Sequence, residues 1–150
     1  MTPVSDHELA IRHFVYRHFV EQARPPTVAE SAEAFNISEN LAGDMYRRLH
    51  EGHFLFLEDG MPTIRMANPF SAVPTSFQVR AAGQTYFANC AWDMLGIPAA
   101  MGADAEIEAR CADCGQLHRL ALRGGRLQAM GGLVHFLLPF TSWYDDLVFT

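Results

Sequence analysis

A thiol and a carboxyl lie three positions apart at Cys90 and Asp93. This spacing puts both side chains on one face if the segment is helical. The residues before Cys90 predict a strand, so Cys90 is expected to begin a short helix, whose free N–H groups and dipole lower a thiol pKa. A partly buried Asp93 with a raised pKa could then carry a proton near neutral pH. The spacing equally fits a structural cysteine followed by an acidic first-turn residue, and it leaves both interpretations open.

A second cysteine motif, Cys111 and Cys114, forms C-x-x-C and is followed by Gly115. Such a turn holds zinc when a second pair of ligands exists, but the chain has only 3 cysteines. His118 and His135 could complete a zinc site, although both lie in strand-like patterns. There are two other interpretations of this motif: a tight β-turn with two half-buried thiols, or a redox pair. No resident cofactor is expected.

The first half of the chain predicts three helices. The first has an apolar stripe and should end before Pro25, where the ring of the first of two prolines would break it. Thr27 and Glu30 form a capping-box pattern that opens a second helix. A third helix should bury residues at four-residue spacing and end near Gly52. The stripe of the first helix is Ile11, Phe14, Val15 and Phe19, and that of the third is Leu41, Met45 and Leu49.

A β-hairpin is predicted after these helices, from residues 53–57 and 63–66 around the turn Asp59-Gly60. Three helices and a hairpin predict a winged-helix-like lobe over residues 1–66. Its candidate recognition helix, 38–50, offers Arg47 and Arg48 but also Glu39 and Asp44. Because the formal net charge is -6, contact with DNA is possible but is not the favoured interpretation of this lobe.

Residues 67–76 contain two prolines and predict an extended connector, and residues 77–150 predict a mainly antiparallel β core with one short helix. Pro98 should limit that helix. Further strands are predicted over 105–110, 117–123, 126–130 and 133–138. The fold class is therefore α+β, helices first and an antiparallel sheet after them.

No apolar run is long enough to cross a bilayer, and the N-terminus lacks the basic start and apolar core of a signal peptide. No membrane partner is expected. An odd, small number of cysteines does not make a disulfide framework. These features predict a cytoplasmic protein with reduced thiols.

The second half resembles the alkylmercury lyase family, whose members break carbon–mercury bonds. The resemblance rests on three features: Asn68-Pro69-Phe70-Ser71, the segment from Cys90 and Asp93 to Pro98, and Cys111 with Gly115 after it. It extends across nearly the whole chain, since the family also has an N-terminal helical lobe before its β core.

The resemblance implies a mechanism in which Cys90 attacks mercury and Asp93 takes part in protonating the departing carbon. Mercury is a soft ion that prefers thiolates, so Hg(II) is the expected product or ligand, and an organomercurial or another thiophilic small molecule is the expected partner. Cys111 corresponds to a cysteine regarded as structural in the family.

The second mercury-binding cysteine of the family would fall after Thr150, so the chain is expected to be a shortened version or a member without that thiol. Cys114 substitutes for it only if the turn brings it within about 4–5 Å of the Cys90 sulfur. The alternatives to an enzyme are a winged-helix regulator or metal-sensing module with a non-catalytic lyase-like lobe, and an inert interaction domain.

Overall fold

The computed structural model describes residues 5–128, 133–134, 136 and 138–143. Three helices come first, α1 (Asp6–Gln22), α2 (Val28–Phe35) and α3 (Glu39–Glu51). The helix α1 begins with a capping box in which Ser5 and Glu8 exchange hydrogen bonds, and ends at Ala23 before the two prolines. The predicted capping box of Thr27 and Glu30 opens α2. These boundaries confirm the helix ends predicted from the sequence.

The buried face of α3 differs from the predicted one. Leu41 is 41% exposed, whereas Ala42, Met45 and Tyr46 are buried together with Leu49. Buried positions 42, 45, 46 and 49 follow the i, i+3, i+4, i+7 pattern of one helix face. A strict four-residue spacing drifts around the helix, and for that reason the prediction placed Leu41 wrongly inside.

One antiparallel sheet follows the helices, which confirms the α+β class. Its spatial order is β1-β2-β3-β5-β4-β6-β7-β8. A single further helix, α4 (Asp93–Met101), lies between β5 and β6, and a 3-10 turn occupies Phe140–Ser142. The strands are β1 (Phe56–Leu57), β2 (Ile64–Ala67), β3 (Phe70–Ser71), β4 (Phe77–Ala81), β5 (Gln84–Ala88), β6 (Ala105–Arg110), β7 (Leu117–Arg123) and β8 (Arg126–Gln128).

The predicted connector contributes a strand to this sheet. Its β3 pairs with β2 of the predicted hairpin on one side and with β5 of the β core on the other. Ser71 Oγ donates to the carbonyl of Val73, and Thr75 Oγ1 donates to the carbonyl of Ala88 at 2.6 Å. The division into residues 1–66, 67–76 and 77–150 stays a prediction, while the hydrogen-bonded sheet runs through all three parts.

The helix α1 packs against the sheet through aromatic side chains. Phe19 stacks on Phe70 with ring centroids 5.1 Å apart, and Phe70 meets Tyr86 edge to face. The Tyr86 hydroxyl donates to the carbonyl of Val20 at 2.8 Å. These contacts bury the first helix against β3 and β5, and β5 leads directly to the Cys90 segment.

Some predicted features fall on residues that the structure does not describe. The predicted strand 126–130 is seen as β8, with residues 129 and 130 outside the described part. The predicted strand 133–138 includes His135, which also lies outside it, and the described residues of that stretch are not in a strand. Within the described part of the chain, none of the helices combines the length and apolar character that a bilayer span requires.

Candidate active site around Cys90 and Asp93

Cys90 lies in the turn between β5 and α4. The helix begins at Asp93, three residues later than predicted, and Trp92 occupies the N-cap position. The carbonyl of Cys90 nevertheless accepts the N–H of Met94 at 3.1 Å, which is the i to i−4 bond of a first helical turn. The prediction that Cys90 begins the helix is thus wrong by a few residues, while its position at the helix entrance is as expected.

The structure brings the Cys90 thiol and the Asp93 carboxylate into contact. Cys90 Sγ donates to Asp93 Oδ2 at 3.6 Å, and both residues are half-buried. Burial raises the pKa of Asp93, while hydrogen bonds from Asn89 and from the Cys90 thiol act in the opposite direction. The carboxyl therefore holds a proton more readily than a free aspartate, as the sequence predicted.

The acidity of Cys90 differs from the prediction. Its pKa is raised, first by burial and then by the negative charge of Asp93. Backbone N–H groups of Asp93 and Trp92 do point at the sulfur and lower the pKa, as expected at a helix entrance. They are outweighed because a thiolate here would be desolvated beside a carboxylate. Before substrate binds, Cys90 is therefore a neutral thiol that donates a hydrogen bond to the Asp93 carboxylate.

Two asparagines, to which the sequence analysis gave no role in the site, support this pair. Asn89 Nδ2 donates to Asn68 Oδ1 at 2.9 Å and to the carbonyl of Phe70 at 3.3 Å. Tyr16 from α1 donates its hydroxyl to the carbonyl of Asn68 at 2.9 Å. Asn89 thus links Asp93 to the β3 segment. Its position directly before Cys90 was the signal available in the sequence.

The helix α4 fits closely against the segment before β3. A Cβ added to Gly96 would lie 3.2 Å from Cβ of Pro69, which is tighter than ordinary contact. Pro98 lies inside α4 instead of limiting it, since the helix continues to Met101 and ends at Gly102 in the left-handed region. Burial of Ile97 and Pro98 against the core compensates for the hydrogen bond that proline cannot make.

The other two cysteines form a separate turn between β6 and β7. The N–H of Cys111 donates to the carbonyl of Gln116, and that of Gly115 donates to Cys111, both at 2.9 Å. Cys111 is half-buried and Cys114 is exposed. Because β4 lies between β5 and β6, the strand ends that carry Cys90 and Cys111 are about 10 Å apart. Among the described residues, no hydrogen bond joins Cys114 to Cys90, and its role as second mercury ligand stays a prediction.

Two grooves in the described part of the chain lie away from Cys90. One, of about 230 Å³, lies on the outer sheet face and is lined by polar residues including Arg80 and Glu106. The other, of about 440 Å³, lies between α1 and the end of α4. At the site itself, Trp92 is 66% exposed beside the thiol. The half-buried Cys90–Asp93 pair thus has an exposed aromatic side chain beside it.

The candidate recognition helix α3 holds its two cations in ion pairs. Arg47 Nη1 lies 2.7 Å from Asp44 Oδ1, and Arg48 pairs with Glu8 of α1. Contacts of this kind use the charges that a DNA-binding helix would direct at phosphates. DNA contact by this lobe stays a prediction of the sequence, and no structural observation adds to it.

The thiol and carboxyl at the entrance of α4 place a soft-metal ligand beside a group that can carry a proton. Residues 70–147 match the family described as alkylmercury lyase, MerB, and this match covers more than half of the chain, so the chain belongs to that family. Among solved structures, the mercury-bound form of MerB2 matches with a TM-score of 0.68 and 23% sequence identity.

That match covers 83% of this chain and 59% of the MerB2 chain. The chain thus spans about three fifths of the length of the solved structure it resembles. At this level of identity the likeness shows the fold. No curated protein matches the sequence.

Proposed function

We propose that this chain binds organomercurials through Cys90 and cleaves their carbon–mercury bond by protonolysis. The observation that carries the proposal is the 3.6 Å contact between Cys90 Sγ and Asp93 Oδ2, in a chain of the alkylmercury lyase family. The soft thiol is the atom that mercury prefers, and the carboxyl is the group that can move the proton.

In the first step, Cys90 Sγ bonds to the mercury of an R–Hg⁺ species and loses its proton. Asp93 accepts that proton, because Oδ2 already accepts the thiol hydrogen bond. Mercury binding lowers the pKa of the Cys90 thiol, because coordination to a metal ion deprotonates thiols. The raised pKa of Cys90 in the resting site is therefore no barrier once the electrophile is present.

In the second step, protonated Asp93 delivers its proton to the carbon bonded to mercury. The carbon–mercury bond breaks, the hydrocarbon R–H leaves, and Hg(II) stays on Cys90 while Asp93 returns to its charged form. Burial of Asp93 raises its pKa and so stabilises the protonated carboxyl between the two steps. A small thiol from solution supplies the next sulfur ligand to Hg(II). Three free thiols fit a reducing compartment, and we propose the cytoplasm.

The experiment is hydrocarbon release from an organomercurial in excess small thiol, followed by gas chromatography. Wild type is expected to release R–H, and Cys90→Ser to release it only at the rate of the protein-free reaction. Asp59→Asn serves as a control for loss of one acidic charge, since Asp59 lies in the exposed turn before Gly60. Equal rates for wild type and Cys90→Ser would contradict the enzyme, and mercury retention by Cys90 without release would favour the metal-sensing alternative.

A further inference from the structure

The turn between β6 and β7 carries a pair of thiols that the proposed chemistry at Cys90 does not use. Cys111 is the first residue after β6, and the hydrogen bonds of Cys111 with Gln116 and Gly115 close the turn. Gly115 has φ 71, a left-handed conformation that glycine adopts without strain. The closed turn directs Cys111 and Cys114 toward each other instead of leaving them on a flexible loop.

The turn holds the two cysteines close to each other. They are three residues apart, and the hydrogen bond from the Gly115 N–H to the Cys111 carbonyl closes the chain over both. The first and fourth residues of such a tight turn have Cα atoms within about 7 Å, and the Cys114 side chain is in contact with Cys111. One ion can therefore reach both sulfurs, and Cys114 is exposed to incoming ions.

The register of the sheet places this pair at the same edge as Cys90. Gln78 of β4 lies opposite Phe87 on one side and Glu108 on the other. Cys90 comes three residues after Phe87, and Cys111 comes three residues after Glu108. Since β5 and β6 run in the same direction, both cysteines leave the sheet at equivalent heights, two strand spacings apart.

We propose that Cys111 and Cys114 form a second, two-sulfur site for a soft cation, with Hg(II) as the ion it fits. In the described residues, His, Cys, Asp and Glu side chains do not gather into a group of three or more that could hold a metal. The turn therefore offers two ligands, fewer than the four that a structural zinc takes. Hg(II) is satisfied by two thiolates, which are the soft ligands it prefers.

Binding is a simple exchange of protons for metal. Two bonds from mercury to Cys111 and Cys114 form while two bonds to the small-thiol or chloride ligands that carried the ion break. The two cysteine protons go to the released ligands or to solvent, and no oxidant or reductant is needed. Because the second sulfur is already held beside the first, its effective concentration exceeds that of a millimolar competitor thiol in solution. The site does not depend on turnover at Cys90, and goes beyond the function proposed above.

The test uses Cys90→Ser protein, which removes the first site. Hg(II) is supplied as its chloride in the presence of millimolar 2-mercaptoethanol, and protein-bound mercury is measured after gel filtration. We expect Cys90→Ser to retain about one Hg(II) per chain, and Cys90→Ser/Cys114→Ser to retain it at least about tenfold more weakly, because a single thiol lacks the chelate advantage. Cys114 is exposed, so its substitution should leave the fold intact.

The matched control is Cys90→Ser/Asp113→Asn, which changes the charge within the turn but leaves both sulfurs. It should retain Hg(II) as the parent does. Equal retention by Cys90→Ser and Cys90→Ser/Cys114→Ser, with unchanged circular dichroism, would overturn the two-sulfur site. Retention in a protein whose wild type releases no hydrocarbon would support this site while contradicting the lyase proposal, and the two failures are thus distinguishable.

Discussion

Replacing Asp93 by Asn separates two effects of its carboxylate on Cys90. The carboxylate moves the proton during bond cleavage, and its negative charge raises the pKa of the neighbouring thiol. We predict that Asp93→Asn slows hydrocarbon release by roughly 10²–10⁴-fold, the usual contribution of a positioned acid or base. The same change should make Cys90 react faster with an alkylating agent.

The size of the second effect follows from the contact distance of 3.6 Å. Repulsion between unit charges at that separation is about 1 kcal/mol at the dielectric constant of water and about 5 kcal/mol at an effective value near 20. Cys90 is half-buried, so solvent screens part of this energy and the lower end applies. Because about 1.4 kcal/mol corresponds to a factor of ten, alkylation near neutral pH should accelerate about tenfold.

Iodoacetamide labelling followed by peptide mass spectrometry measures Cys90 separately from the other two cysteines. Asp59→Asn is the charge control, and it should change neither the labelling rate nor hydrocarbon release. Opposite changes in the two rates would match the proposed double role of Asp93. If Asp93→Asn slowed both rates together, the pair would have lost its geometry, and unchanged release would refute Asp93 as proton carrier.

Three further predictions concern the surroundings of the site and the stability of the fold. Asn89→Ala should raise the pKa of Asp93 further, because Asn89 hydrogen-bonds the charged form, and the acid limb of the pH–rate profile should move to higher pH; an unmoved limb would contradict this. The pKa of Glu8 is lowered to about 2, so its contribution to stability is present above pH 4.5 and is lost as pH falls toward about 2. Glu8→Gln keeps a side chain that can complete the capping box but removes the charge paired with Arg48. It should cost about 1 kcal/mol in urea unfolding at neutral pH and flatten that acid dependence, and an acid unfolding curve identical to wild type would argue against it. Tyr86→Phe removes the hydroxyl that donates to Val20, and should lower the free energy of unfolding by about 1 kcal/mol without changing Cys90 labelling.

Much of the fold follows from local sequence signals. The capping box of Thr27 and Glu30, the two prolines after α1 and the alternating patterns of β4 to β7 predicted helices and strands close to those observed. Each of these signals depends on interactions between residues a few positions apart, so it can be recognised from the sequence without knowing the fold. The buried face of α3 was less predictable, since whether Leu41 faces the core depends on which elements pack beside it.

The residues of the candidate site were predictable from the sequence, but the direction of the Cys90 pKa shift was not. Spacing alone brought Cys90 and Asp93 together, because one helical turn decides that contact. The direction of the Cys90 pKa shift depends on burial and on the balance between N–H groups and a carboxylate. The part played by Asn89 depends on β3, twenty residues earlier in the chain, whose pairing with β5 no local pattern reveals.

The pairing of β3 with both β2 and β5 also determines where the protein can be divided. A fragment that starts after residue 76 would keep β4 and β5 but strip β5 of its outer neighbour. The unpaired backbone N–H and C=O groups of β5 would then form hydrogen bonds with a strand of another copy. The C-terminal half in isolation is therefore expected to aggregate, and a fragment that keeps β3 is expected to stay dispersed because β3 covers the edge of β5.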